Sequence, residues 1–105
     1  MLLSAANRKG RVVTVPAPTV GQVWRDGARQ ARLATVLVAC RIESTTDQMA
    51  RAAGVLLGRA QHSDVLDALV VLGAVRRGDE ILTSDPTDLS ALMAASPTRV
   101  PITVI

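Results

Sequence analysis

The sequence predicts an α/β protein that forms a single domain over residues 1–105. Three observations support this prediction. Short β-branched segments alternate with longer segments of helical periodicity, the order that a small parallel sheet flanked by helices requires. Apolar residues make up 49% of the chain, which is enough for one core and too much for a disordered protein. Trp24 is the only aromatic residue, so the core must be aliphatic.

The first segments of the chain predict a helix followed by a strand. Residues 2–9 have the pattern of the last turns of a helix, which Gly10 ends, and residues 12–15 form a short strand that Pro16 ends. A chain of this class normally begins with a strand. The first strand of the sheet is therefore predicted to be missing, and the domain to be N-terminally truncated.

The middle of the chain predicts two helices and a strand. Thr19 and Gln22, three residues apart, match a capping box, which predicts a helix that begins near Val20. Residues 31–39 carry apolar side chains on one helical face, and residues 40–44 are typical of a short strand.

The second half of the chain continues the alternation. Thr46 is predicted to cap a helix over residues 47–60, and Ser63 to cap a helix over residues 64–77 that Gly78 ends. A strand at 80–84, a helix at 85–95 and a final strand at 99–105 follow, in that order.

Charge and cysteine content exclude several classes of protein. The net charge of +3 comes mostly from arginine, whose guanidinium suits phosphate, although a solvated surface explains it equally well. Cys40 is the only cysteine, which excludes a disulfide framework and a cysteine-based zinc site. No apolar run approaches the ~20 residues of a membrane span, so a cytoplasmic location without membrane contact is predicted.

Helix and strand lengths predict where the acidic residues lie. From Asp67 the helix rises ~15 Å to its end, at 1.5 Å per residue. The next strand returns about 16 Å to Asp85, at 3.3 Å per residue. The two carboxylates should therefore share the edge at which strands end and helices begin, the usual ligand crevice of such sheets. Gln22 and Asp88 are predicted at the same edge.

Two interpretations of these acids remain open. Asp85 before a proline is a good N-cap, Asp88 falls where a capping partner would, and Asp64 suits a helix dipole. Asp67 differs, because it is expected past the first helical residues, where burying an unpaired charge is costly. Converging carboxylates suit Mg²⁺ or Mn²⁺, which can activate water for phosphodiester hydrolysis.

The segment "DALVVLGAVRRGDEILTSD" resembles the C-terminal half of PIN-domain proteins, the VapC-like toxins of bacterial toxin–antitoxin pairs. The elements that carry the resemblance are Asp67-Ala68-Leu69, the turn at Gly78 and Thr83-Ser84-Asp85. The likeness runs from about Arg11 to the C-terminus and is most specific in the final third.

The resemblance implies a three-layer PIN-like fold and Mg²⁺-dependent (or Mn²⁺-dependent) endoribonuclease activity on RNA, with a cognate antitoxin protein as partner and a homodimer. It implies that Asp67 and Asp85 are catalytic metal ligands. Asp64 and Asp88 are plausible auxiliary ligands, and Thr83 is a hydroxyl that orients a ligand.

The chain departs from the family pattern at two places. The first acid of the family lies on the central opening strand, which is predicted to be missing here, and Gln22 stands where the second acid is expected. Either an opening strand is encoded upstream of Met1, or the chain is a decayed or truncated member. Three hypotheses follow: an endoribonuclease toxin, an inactive PIN-like remnant that binds a protein partner, and an α/β domain whose acids are all helix caps.

Overall fold

A computed structural model describes residues 3–6, for which only the backbone is considered, together with residues 12–26 and 30–105. These residues form five strands and five helices that alternate along most of the chain. In chain order the elements are β1 Leu3–Ala6, β2 Val13–Pro16, α1 Ala17–Val23, α2 Ala31–Val38, β3 Arg41–Glu43, α3 Asp47–Ala60, α4 Val65–Arg77, β4 Glu80–Thr83, α5 Thr87–Ala95 and β5 Ile102–Val104. The predicted α/β class is confirmed.

The five strands form one mixed sheet with the order β3-β2-β1-β4-β5. β2 pairs with β3 in parallel, and β4 pairs with β5 in parallel. β1 lies between the two pairs and runs antiparallel to both of its neighbours, so that Ala6 faces Val13 on one side and Glu80 on the other. Because β2 and β4 both oppose β1, they run in the same direction.

The prediction for the start of the chain was wrong. Leu3–Ala6 is a strand and not part of a helix, and it fills the central position of the sheet that was predicted to be vacant. The sheet is consequently mixed where an entirely parallel one was expected. The inner edges of β2 and β4 carry backbone groups that need partners, and satisfying them outweighs a local helix preference. The predicted helix stop at Gly10 lies outside the described residues.

The helix starts also differ from the sequence prediction. α1 begins at Ala17 directly after Pro16, so Thr19 lies buried inside the helix, and the Thr19–Gln22 capping box does not form. Thr46 does cap α3 as predicted, since its Oγ1 accepts the Met49 N–H at 3.1 Å. α3 and α2 match their predicted spans to within a residue.

α4 is the centre of the hydrophobic core. It contacts β1, β2 and β4 and packs against both α3 and α5. Gly78 ends it with a φ of 72°, a left-handed conformation that glycine adopts without strain. The buried apolar residues of this core come mainly from α4 and from the strand and helices around it: Ala53, Leu56, Ala68, Leu69, Val70, Val71, Ala74, Ile81, Leu89, Leu92 and Met93.

A partly buried ion-pair network joins the end of α4 to β3. Arg77 Nη1 lies 2.8 Å from Glu43 Oε2, and Arg77 Nε lies 2.8 Å from Asp79 Oδ2. Gly73 makes room for this guanidinium, because a Cβ there would lie 2.9 Å from Arg77 Nη1. The network thus fixes the edge strand against the central helix.

Within the described part of the chain, none of the helices has both the length and the apolar content that crossing a membrane requires.

Candidate functional site

A cleft of about 350 Å³ opens beyond the carboxyl end of β4, next to the end of α1 and the starts of α4 and α5. It brings together all six residues that the sequence predicts for the site, from four separate elements or their connecting loops. The residues that line the cleft are Gln22, Val23, Asp64, Leu66, Asp67, Thr83, Ser84, Asp85 and Asp88. The lengths of the helix and the following strand predicted that Asp67 and Asp85 lie at one edge of the sheet, and the structure places both residues in this cleft. Their chemical roles stay predictions.

Asp64 is the N-cap of α4, and Ser63, which was predicted to be the cap, precedes it. Asp64 Oδ1 accepts the backbone N–H of Asp67 at 3.1 Å. Asp67 consequently lies in the first turn of α4, and the expectation that it lies beyond the helix start was wrong. A carboxylate in the first turn is favoured by the helix dipole, so position alone does not mark Asp67 as functional.

The electrostatic environment sets Asp67 apart from an ordinary helix-end carboxylate. Its pKa is raised to about 6, first by burial and then by the negative charges of Asp64 and Asp88. Proximity to the Asp64 carboxyl group adds to this rise, and the neighbouring His62 acts in the opposite direction. At neutral pH the cleft therefore holds an anion that its surroundings disfavour, and a bound cation would reverse this penalty.

Asp85 does not serve as a helix cap. The N-cap of α5 is Pro86, and no side chain of the described residues caps this helix. The Asp85 side chain is exposed, and its backbone N–H donates to Thr83 Oγ1 at 3.0 Å. Thr83 is fully buried, so its hydroxyl fixes the backbone of Asp85 and does not orient the carboxylate directly. The capping interpretation thus holds for Asp64 but fails for Asp85.

Asp88 is paired with His62, a residue in the loop between α3 and α4. His62 Nε2 lies 3.3 Å from Asp88 Oδ1, and the histidine side chain is only 20% exposed. Its Nδ1 accepts the backbone N–H of Asp64 at 3.2 Å. The signal that could have found His62 is its position immediately before the Ser63-Asp64 cap of the acid-bearing helix.

The remaining lining combines a neutral polar group with an apolar wall. Gln22 is exposed at the end of α1, at the place where the family resemblance leads to the expectation of a second acid. Val23 and Leu66 contribute aliphatic surface beside the carboxylates. Apolar walls limit the access of water and so strengthen the electrostatic interactions of the charged groups.

The carboxylate oxygens of the cleft suit a hard cation that keeps most of its bound water better than one coordinated mainly by protein ligands. Among the described residues, no three His, Cys, Asp or Glu side chains are arranged as a ready set of metal ligands. Mg²⁺ keeps several waters and is commonly bound by one or two carboxylates together with substrate phosphate. One or two of the cleft carboxyl groups, with Asp67 among them, fit that mode of binding, whereas a site built from protein ligands alone does not fit.

No family model, no curated protein and no solved structure matches this chain.

Proposed function

We propose that this protein is a PIN-like, metal-dependent endoribonuclease that cleaves RNA at the cleft beyond the carboxyl end of β4. The observation that carries the proposal is the Asp67 carboxylate, whose pKa of about 6 reflects a half-buried anion beside two further carboxylates. A purely structural cap would be placed where its charge is stabilised. Here the surroundings raise the free energy of the anion, which is typical of functional carboxylates.

Mg²⁺ or Mn²⁺ bound at the cleft would supply activation of water and neutralisation of charge on the phosphoryl group. Asp67 and Asp85 are the residues that would hold it, with Asp64 and Asp88 as auxiliary carboxylates. Thr83 keeps the backbone of Asp85 in place through its hydroxyl. Gln22 can donate a hydrogen bond to a phosphate or a ribose hydroxyl of the substrate.

The toxin assignment and its partners belong to the same proposal. Exposed apolar side chains on α2 and β3, namely Val36, Val38 and Ile42, offer a surface on which a cognate antitoxin could pack. Val104 and Ile105 are exposed at the β5 edge, and this second surface is compatible with a homodimer. Such patches are typical of protein–protein contacts.

A second candidate function is a PIN-like remnant that binds a protein partner without cleaving RNA. Two observations favour it. The central strand β1 has the sequence Leu-Ser-Ala-Ala, so it brings no acid to the cleft, and Gln22 is a much weaker cation ligand than a carboxylate. Binding of a divalent cation separates the two candidates, because the remnant has no need of it.

The test combines calorimetry with Mn²⁺ and RNA cleavage by the purified protein. Asp67→Asn and Asp85→Asn should each reduce cleavage by roughly 100-fold or more, as expected when a group that acts in the transition state is lost. Asp47→Asn is the matched control, since Asp47 lies on the surface in an ion pair with Arg51. Full cleavage in both cleft variants would refute the nuclease proposal, and the absence of Mn²⁺ binding by the unmodified protein would favour the remnant.

A further inference from the structure

His62 lies in the loop between α3 and α4 and contacts two different elements of the cleft. Its Nδ1 accepts the N–H of Asp64, the cap of α4, at 3.2 Å. Its Nε2 lies 3.3 Å from Oδ1 of Asp88 in the first turn of α5. An imidazole whose Nδ1 accepts a hydrogen bond is neutral and carries its proton on Nε2, the nitrogen that faces Asp88.

The contact between His62 and Asp64 prevents the Asp67 side chain from completing a capping box. In a reciprocal capping box, the side chain of the third helical residue accepts the N–H of the N-cap residue. Asp67 is that third residue of α4, and Asp64 already accepts its N–H at 3.1 Å. The reciprocal half is missing, because the imidazole of His62 takes the Asp64 N–H. The Asp67 carboxylate is thereby available to a ligand in the cleft.

The contact with Asp88 holds a second carboxylate. The Asp88 side chain is 55% exposed, and the imidazole of His62 is the charged-pair neighbour that the structure places beside it, at 3.3 Å. With Oδ1 next to the imidazole, Oδ2 remains for a ligand. A histidine that contacts a carboxylate in this way orients it, as groups behind metal ligands commonly do.

We propose that His62 is a positioning residue of the cleft, which keeps Asp67 out of a capping box and holds Asp88 in place for the bound cation. This inference rests on the proposed function, because it assumes that a cation binds in the cleft. Its geometric basis is the pair of contacts that His62 makes with Asp64 and Asp88. His62 does not touch the substrate in this proposal, and it acts only through the two aspartates.

The first test measures Mn²⁺ affinity by calorimetry in variants of His62. His62→Phe keeps a ring of similar size and loses both nitrogens, and it should weaken Mn²⁺ binding by about 10-fold. His62→Gln retains one donor and one acceptor and should keep most of the affinity, and it also serves if the Phe variant does not fold. In an Asp88→Asn background, His62→Phe should cause a smaller loss than it does alone. Unchanged affinity in His62→Phe, or strictly additive effects, would overturn the proposal.

The second test needs no metal. His62 is the only histidine in the chain, so its ring nitrogens can be identified without ambiguity by NMR. The metal-free protein near neutral pH should show the Nε2–H tautomer, and His62→Phe should shift the Asp64 amide resonance as that N–H changes its acceptor. An Nδ1–H tautomer, or an unmoved Asp64 amide, contradicts the proposed contacts.

The two tests fail separately. If the unmodified protein binds no Mn²⁺, the proposed function fails, and the tautomer and the Asp64 amide alone then decide whether His62 positions the two carboxylates. If Mn²⁺ binds and His62→Phe has no effect, the proposed function stands and the role of His62 is refuted.

Discussion

Replacing Asp67 by asparagine should make the protein more stable above pH 6, although Asp67 is the central residue of the proposed site. The folded protein raises the pKa of this carboxyl from 3.8 to about 6, so folding is favoured by the protonated form. The corresponding stability is fully present below about pH 4 and is lost as the pH rises through about 6. Asparagine resembles the protonated acid and should not show this loss.

The size of the effect follows from the shift in pKa. At about 1.4 kcal/mol per pKa unit, the change corresponds to roughly 3 kcal/mol in the absence of solvent screening. The Asp67 side chain is only partly buried, and solvent screening reduces this figure to about 1 kcal/mol. Above pH 6, Asp67→Asn should therefore raise the free energy of unfolding by about 1 kcal/mol, and near pH 4 the two proteins should be nearly equal.

Urea unfolding of both proteins at pH 4 and pH 7.5 measures this difference directly. Asp47→Asn is the control, because Asp47 is an exposed acid whose surface ion pair should contribute less than about 0.5 kcal/mol. Saturating Mn²⁺ should stabilise the unmodified protein and not the Asp67 variant, since a ligand stabilises only the state that binds it. If Asp67→Asn is the less stable protein at pH 7.5, or if the difference does not change with pH, the carboxylate is not in a disfavoured environment.

Four further substitutions test the fold by urea unfolding. Thr46→Ala removes the side chain that caps α3 and should cost about 1 kcal/mol; an unchanged midpoint would contradict the cap. Gly73→Ala places a methyl group 2.9 Å from Arg77 Nη1 and should destabilise by roughly 1–3 kcal/mol, whereas Gly54→Ala, in open space on α3, should stabilise by about 0.5–1 kcal/mol. Equal effects at the two glycines would refute the crowding at Gly73. Leu92→Ala empties a fully buried position and should cost about 2–5 kcal/mol, and a smaller loss would mean that the core collapses around it.

The position of the cleft could be predicted from the sequence because it depends on lengths. The helix that begins near Asp67 and the strand that ends before Asp85 have similar spans, and the left-handed turn at Gly78 connects them. Any chain with these spacings returns to its starting edge. The polar residues at the ends of the strands and at the starts of the helices on this edge are then the ones that meet in the cleft.

Other features depend on distant partners and could not be predicted in this way. The sequence of Leu3–Ala6 has no strong strand pattern, and it is a strand because β2 and β4 flank it. The choice of Asp64 over Ser63 as cap shifts the start of α4 and moves Asp67 into the first turn. The role of His62 depends on Asp88, which lies on another helix. In each case, contacts with residues distant in the sequence decide the structure of a segment whose own residues permit more than one conformation.

The central place of β1 has a consequence for when the cleft can first exist. β1 is near the beginning of the chain, and one of its partners, β4, lies in the last third. During synthesis on a ribosome, β1 emerges early and must wait for its second neighbour, and contacts between remote segments form slowly. The edge that gathers the aspartates is therefore incomplete until the segment through Asp88 has been synthesised, so shorter nascent chains lack the cleft.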